Sequence, residues 1–333
     1  MTLTQLRFFT TIVDAGLNIT VAAKRVHATQ SGLSKQIKRL EDELGFLLFT
    51  RRARSLTALT PEGEQVLEHA RALLDHASNI RALGANLRND SQGELHIATT
   101  HTQARHVLPS ALSRLNKRFP SVAVHLAPGG DSESLARLEA GQTDIAIVSS
   151  GGGTPEADIA LPLYHWDRVI LVPVQHRLAR LGRAITLEDL FHYPLVSYES
   201  TRSPDSSLRR AFQAAGLAPN IAMTARDADL IKTYVRSGLG VGILAEMALN
   251  DDEPDLVAIP ADTLFPVCTT WLLLRRDRVL RDHTRALIAS LLPQLSRYDL
   301  SEALATGTAP AGTSVPHWRD FRDAPEDRRA LAC

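Results

Sequence analysis

Apolar residues recur at helical spacing through the first ninety or so positions, then gather beyond Gly93 into short strand-like runs separated by helical stretches. Leu3, Leu6, Phe9, Ile12 and Val13 predict a first helix near residues 4–15. Asn18 is placed to cap a second helix, whose Ala22, Ala23 and Val26 face inward and, being small, permit close helix approach. After His27-Ala28-Thr29 a third helix begins near Gln30, with Leu33, Ile37, Leu40 and Leu44 as its buried stripe. The opposite face carries Ser31, Ser34, Lys35 and Lys38. Two short helices joined by a tight turn, the second polar and basic, form the pattern of a helix-turn-helix that lays its second helix in a DNA groove. Gln30, Ser31 and Ser34 suit base edges or phosphates, and Lys35 and Lys38 neutralise phosphates. The bland alternative is a helical hairpin with a solvated charged face. Residues 46–60 predict a two-stranded wing with Arg51, Arg52 and Arg54 at its tip, within reach of a flanking groove.

Thr60 then caps a long helix, with Pro61 at its first position and Glu62 at its positive end. Val66, Leu67, Ala70, Leu73, Leu74, Ala77, Ile80, Leu83 and Leu87 continue its stripe to about residue 88. A helix this long outside a compact core predicts a dimerising linker. Dimerisation presents two recognition helices about 34 Å apart, one turn of DNA.

The remaining pattern alternates. Strands are expected at 94–100, 122–126 and 143–149, with helices at 108–119 and 132–140 between them. A second set follows, with strands at 169–173, 195–198, 221–224 and 240–244 and helices at 208–215 and 228–237. A strand at 269–274 and a helix at 281–292 come last. Such alternation predicts an α/β region with a mostly parallel sheet. Residues 296–333, rich in Thr, Ala, Pro and Gly and then in Arg and Asp, read as a mobile tail, although Trp318 and Phe321 offer docking groups.

Composition adds limits. A chain of 333 residues suggests two or three domains, and 44% apolar residues allow ordinary cores. No run of about 18 apolar residues predicts a membrane span, and the start, Met1-Thr-Leu-Thr-Gln-Leu-Arg, is not that of a secretory signal. Cys268 and Cys333 fit neither a disulfide framework nor a zinc site, so a reducing, cytoplasmic setting is expected. The net charge is zero, but residues 1–60 hold nine basic against four acidic groups, an excess of five that the rest of the chain must offset. A basic front on an acidic body points to a polyanion partner.

The segment Ala98-Thr-Thr-His-Thr-Gln-Ala-Arg lies where a strand turns into a helix. Hydroxyls of Thr99, Thr100 and Thr102, the Gln103 amide and the free N–H groups of the helix start together suit a small oxyanion. The same residues also serve as simple caps with no ligand. Gly151-Gly-Gly lacks a following Gly-Lys and is a loop. The histidines are dispersed, no Gly-x-Ser-x-Gly occurs and no acid–base pair assembles, so neither a metal, a cofactor nor catalysis is expected. The rival to a DNA-binding regulator is a small-molecule-binding α/β protein with an incidental helical front.

Residues 1–88 resemble the front of LysR-type transcriptional regulators through Thr29-Gln-Ser-Gly-Leu-Ser-Lys-Gln, Leu40-Glu-Asp-Glu-Leu-Gly, Phe49-Thr-Arg and Leu59-Thr-Pro-Glu-Gly. Thr99-Thr-His-Thr-Gln-Ala-Arg, Tyr164-His-Trp-Asp-Arg, Ala228-Asp-Leu-Ile-Lys-Thr-Tyr-Val-Arg and Gly238-Leu-Gly-Val-Gly are similar to the CysB-like branch, regulators of sulfur assimilation. The resemblance implies a winged helix-turn-helix over 1–59, a linker helix over 60–90 and a periplasmic-binding-protein-like effector domain over 91–295. It divides that domain into one subdomain of 92–162 and 266–294 and another of 163–265, with the tail after 295. It implies double-stranded promoter DNA as partner, RNA polymerase as a further one, a homotetramer, and a sulfate-like or acetyl-serine-type effector. Sulfate, thiosulfate, O-acetylserine, N-acetylserine and adenosine phosphosulfate are the candidates. By resemblance the effector residues are Thr100, Thr102, Gln103, Ser149, Trp166 and Ser203. The loop Tyr198-Glu-Ser-Thr-Arg-Ser-Pro-Asp-Ser-Ser departs from the family pattern: its aromatics are lost and Arg202 is gained, which suits a larger or more anionic effector.

Overall fold

Side-chain caps set the helix boundaries of the N-terminal region. In the computed structural model, which describes residues 1–52, 55–250 and 252–323, α1 (Leu3–Asp14) starts from a reciprocal Thr2–Gln5 capping box. Asn18 caps α2 (Ile19–Arg25), Thr29 caps α3 (Gln30–Leu44) and Thr60 caps α4 (Pro61–Leu87). Gly45, with φ of 81°, closes α3 in the left-handed conformation that glycine adopts without steric cost. Strands β1 (Phe49–Arg52) and β2 (Ser55–Leu59) pair antiparallel as the wing. Arg54, expected at the wing tip, lies outside the described residues. The core of this region joins Leu6, Phe9 and Ile12 of α1, Ala22 and Ala23 of α2, Leu33, Ile37 and Leu40 of α3, and Phe49 of the wing. Phe9 and Phe49 meet edge to face at 5.4 Å between ring centres.

The chain divides into two compact units, the first Met1–Asn89 with Asp277–Val279, the second running from Asp90 to Arg276 and on from Leu280. Among its described residues the second unit holds two five-stranded sheets. One has the order β4-β3-β5-β12-β6, from β3 (Gly93–Thr99), β4 (Val122–Pro128), β5 (Ile145–Ser150), β6 (Ile159–Trp166) and β12 (Cys268–Leu274). The other has the order β11-β7-β10-β8-β9, from β7 (Arg168–Pro173), β8 (Leu195–Tyr198), β9 (Ile221–Ala225), β10 (Val241–Ala245) and β11 (Leu256–Pro260). Helices α5 (His101–His106), α6 (Leu108–Arg118), α7 (Asp131–Glu139) and α11 (Asp282–Leu291) accompany the first sheet. Helices α8 (Leu187–Phe191), α9 (Ser207–Ala214) and α10 (Ala228–Arg236) accompany the second.

Three expectations change. Each sheet is mixed, not mostly parallel: β12 runs antiparallel to β5 and β6, and β7 to β10 and β11, because the chain reverses direction where it passes between sheets. The first passage falls at Asp167 instead of after residue 162, because β6 pairs with β12 as far as the Trp166–Cys268 register. The segment after residue 295 is not a free tail as far as it is described. It forms α12 (Arg297–Thr306), opened by a Ser296–Asp299 capping box, and α13 (Trp318–Asp323), and it buries Trp318 and Phe321 in the core of the first sheet.

One glycine fixes the entry of α4. A Cβ on Gly63 would lie 2.2 Å from the Leu48 carbonyl oxygen, so the helix meets the chain entering the wing in backbone contact. Gly63→Ala must push these segments apart, at a cost of about 1–3 kcal/mol. Faster amide exchange across α1–α3 in the full chain is the expected result; unchanged exchange would show that the contact relaxes freely.

Candidate functional site

Between the two sheets of the second unit lies a cleft of about 620 Å³. Its first-sheet wall comes from the start of α5, the start of α7 and the end of β5, and its second-sheet wall from the 197–207 segment, α9 and Arg226. Thr100, Thr102, Gln103, Ser149, Trp166 and Ser203 all line it.

The floor is a closed hydrogen-bond network around Gln103, which is fully buried. The Tyr164 hydroxyl donates to Gln103 Oε1, which fixes the orientation of the amide. Gln103 Nε2 donates to Ser149 Oγ at 3.3 Å and to Thr270 Oγ1 at 3.1 Å. Trp166 Nε1 also donates to Thr270 Oγ1, at 3.1 Å. With two donors already on its oxygen, Thr270 has its own hydrogen to give, and Ser149 Oγ stands 3.1 Å away. Ser149 then receives from Gln103 and Thr270, and its hydroxyl hydrogen is left for the cleft. Gln103 and Trp166 therefore act through the floor, whereas Ser149 is an outward donor. Burial holds the Tyr164 phenol above its ordinary pKa, so it stays a donor.

Thr100 caps α5 by accepting from the Gln103 N–H. Thr102 donates across the cleft to the Tyr198 hydroxyl at 3.4 Å, and Tyr198 also accepts from the Ala245 N–H at 3.3 Å. Ser203 is exposed at the rim. Arg202 does not line the cleft; it sits 3.8 Å from Glu199 on the outside. The lining cations are Arg168, Arg210 and Arg226. Arg226 pairs with Glu199 at 2.6 Å and Glu133 at 3.4 Å, bridging the two walls. Arg168 is held by Ser207 Oγ at 2.7 Å and the Pro266 carbonyl at 3.3 Å, with Trp166 and Phe265 against its guanidinium. Arg210 has no ion-pair partner among the described residues.

Thr270, Tyr164, Tyr198, Asp131 and Arg168 were not singled out from sequence. The adjacent Thr269-Thr270 pair within an apolar strand was the available signal, since alternation turns one of two neighbours inward.

On the N-terminal unit, Gln30, Ser31, Ser34, Lys35 and Lys38 are all exposed on α3. Gln30 Nε2 donates to Thr20 Oγ1, which steadies the amide on α2. Lys35, Lys38 and Arg52 have no ion-pair partner among the described residues. Arg51 differs: its guanidinium pairs with the buried Glu41 carboxylate, which also accepts from the Leu48 N–H at 3.0 Å. That pair anchors the wing to α3, leaving Arg52 as the described wing cation with free charge.

Comparison with known proteins agrees with this arrangement. Residues 3–64 match the bacterial regulatory helix-turn-helix of the lysR family, and residues 88–296 match the LysR substrate binding domain. The chain belongs to the LysR family of transcriptional regulators. It is 39% identical to the HTH-type transcriptional regulator CysB of Haemophilus influenzae over 91% of this chain and 94% of that one. It is 36% identical to the HTH-type transcriptional regulator SsuR of Burkholderia cenocepacia over 91% of this chain and 99% of that one. The crystal structure of the cofactor-binding domain of the Cbl transcriptional regulator covers 65% of this chain and 95% of its own at 33% identity, with a TM-score of 0.59. LysR regulators bind promoter DNA and a small-molecule effector, and the two units supply a module for each. No helix among the described residues is long and apolar enough to cross a membrane.

One acid in this regulator's cleft is tuned. The Asp131 carboxylate accepts from the Ser149 N–H at 2.8 Å, yet burial outweighs that bond and raises its pKa to about 6. Between the ordinary carboxylate value and about 6 the folded chain holds a proton that the unfolded chain releases, so stability falls as pH rises through that window and then levels. No histidine lines the cleft among the described residues, and burial brings Asp131 into the range where mildly acidic solution changes its charge. Sulfate should bind more weakly to the full chain as pH rises through about 6, and Asp131→Asn should flatten that dependence. An equally steep profile in the variant would place the titration elsewhere.

Proposed function

We propose that this chain regulates sulfur-assimilation genes: it reads double-stranded promoter DNA through α3 and the wing, and it responds to a small sulfur-related anion or acetylated serine in the cleft. The observation that carries this reading is the ordered floor, where Gln103 and Thr270 leave the Ser149 hydroxyl as a donor in a cleft also lined by Thr100, Thr102 and Arg168. A neutral donor and a held cation in one cleft suit an oxyanion whose charge needs no full neutralisation. Similarity to CysB and SsuR supports the pathway. Gln30, Ser31 and Ser34 are assigned to base edges or phosphates, and Lys35, Lys38 and Arg52 to phosphates.

The cleft volume of about 620 Å³ and Arg210, which has no ion-pair partner among the described residues, favour a second, larger effector such as adenosine phosphosulfate over sulfate alone. Leu73, Ile80, Leu83 and Leu87 of α4 are exposed at heptad-like spacing, which supports pairing with the linker of another copy. A homotetramer in the cytoplasm, engaging RNA polymerase at its promoters, completes the reading.

Two measurements on the full chain test it. A thermal-shift screen against sulfate, thiosulfate, O-acetylserine, N-acetylserine and adenosine phosphosulfate should give a stabilising probe, and Thr102→Val should remove the shift. Gel shifts on promoters of sulfur genes should show sequence preference, and Lys38→Gln should weaken all DNA alike and lower the salt slope by about 1. Binding without sequence preference would defeat the regulatory reading.

A further inference from the structure

The described part of the C-terminal segment makes three kinds of contact with the strand that leads into the cleft. Strand β6 is an edge of the first sheet, and the segment follows it: Ala160 N–H donates to the Gly307 carbonyl at 3.1 Å, and His165 N–H to the Pro316 carbonyl at 2.9 Å. Bonds from an added segment cover an otherwise open edge. Just before the first anchor Arg276 donates to the carbonyls of Ala305 and Thr306, which ties the end of α12 to the sheet. The second contact is aromatic. Trp318 and Phe321 stand 5.3 and 4.8 Å from the Tyr164 ring, and all three are buried. Tyr164 is the residue whose hydroxyl orients Gln103.

The third contact is ionic and falls on the passage between the sheets. Asp167, in the passage, and Glu246, just after β10, exchange hydrogen bonds: Asp167 N–H donates to the Glu246 carboxylate at 2.9 Å, and Glu246 N–H to the Asp167 carbonyl at 3.0 Å. The segment reaches both carboxylates. His317 Nε2 lies 3.1 Å from Asp167 and 3.3 Å from Glu246, and Arg319 Nε lies 3.0 Å from Glu246. Asp167, Glu246 and His317 cluster closely enough to suit a metal ion, but Arg319 and the Asp167 N–H already engage the Glu246 oxygens, which makes the group an ionic pin.

We propose that residues 297–323 form a strap that positions the effector cleft, with Trp318 and Phe321 holding Tyr164 against Gln103 and with His317 and Arg319 pinning the Asp167–Glu246 passage. A segment that only covered apolar surface would not need to bring His317 and Arg319 onto the two carboxylates of the passage. The effector part of this inference rests on the proposed function; the positioning part does not.

The test uses the full chain labelled with 5-fluorotryptophan. Its three tryptophans are Trp166 at the cleft floor, Trp318 in the strap, and Trp271, which packs with the cluster on the other face of the sheet and serves as reference. Fluorine resonances are assigned from single Trp→Phe variants. Phe321→Ala should move or broaden the Trp166 resonance and leave that of Trp271 in place. It should also weaken the sulfate affinity at least about tenfold, roughly 1.4 kcal/mol. A lower melting temperature with an unmoved Trp166 resonance would overturn the proposal, because a merely structural strap gives that result. If Phe321→Ala does not fold, Arg319→Gln, a change at a largely exposed side chain, carries the same test: an unmoved Trp166 resonance refutes the pin and a shifted one sustains it. If sulfate fails to bind the unaltered chain, the effector reading fails, while the fluorine spectra still decide the strap.

Discussion

The effector half of this regulator depends on one buried amide. Gln103 is almost wholly buried, so its polar atoms need partners inside the protein. Tyr164 supplies the donor, and Ser149 and Thr270 supply the acceptors. That arrangement ties α5, β5, β6 and β12 together and leaves Ser149 alone with a hydrogen to offer. Reversing the amide would turn the Ser149 and Thr270 hydroxyls into donors to its oxygen and leave Ser149 no hydrogen for the cleft, so the outward donor depends on the orientation that Tyr164 sets. Such preorganisation lowers the ordering cost of binding.

The same floor links regions distant in sequence. Trp166 bonds to Thr270, stands beside the Arg168 guanidinium and precedes Asp167, where the chain passes to the second sheet. Tyr198 answers Thr102 from the opposite wall, and Arg226 bridges Glu133 and Glu199. The walls thus meet through polar contacts that an anion can compete for or reinforce. An effector shifts such an equilibrium only by its differential affinity for the two arrangements.

Much of this was legible in the sequence, for identifiable reasons. The three N-terminal helices carry strong local signals, a capping residue before each and a stripe at helical period, and local signals survive without tertiary information. Thr100, Thr102, Gln103, Ser149, Trp166 and Ser203 were placed by resemblance, and the cleft does bring their side chains to one lining. Their division of labour was hidden, because whether Gln103 faces a ligand or a floor depends on Thr270, 167 residues later. Arg51 looked like a groove contact since nothing local reveals that Glu41 is buried beneath it. The C-terminal segment misled for a related reason. Its Thr/Pro/Gly stretch resembles a linker, while its worth lies in Trp318, Phe321, His317 and Arg319 meeting residues far away in the chain. Only the Ser296-x-x-Asp299 box announced a helix there.

The most direct measurement is a double-substitution cycle on sulfate affinity at pH 5.5 or so, below the Asp131 transition at about 6, using the full chain with Gln103→Leu, Ser149→Ala and both together. If Gln103 acts through Ser149, each single change weakens sulfate by about 1.5–3 kcal/mol, the worth of a hydrogen bond to a charged group, and the double variant is no worse than the weaker single. Additive losses would mean that Gln103 and Ser149 act independently, and unchanged affinity in Ser149→Ala would mean that the ordered floor does not present the donor on which effector recognition is built.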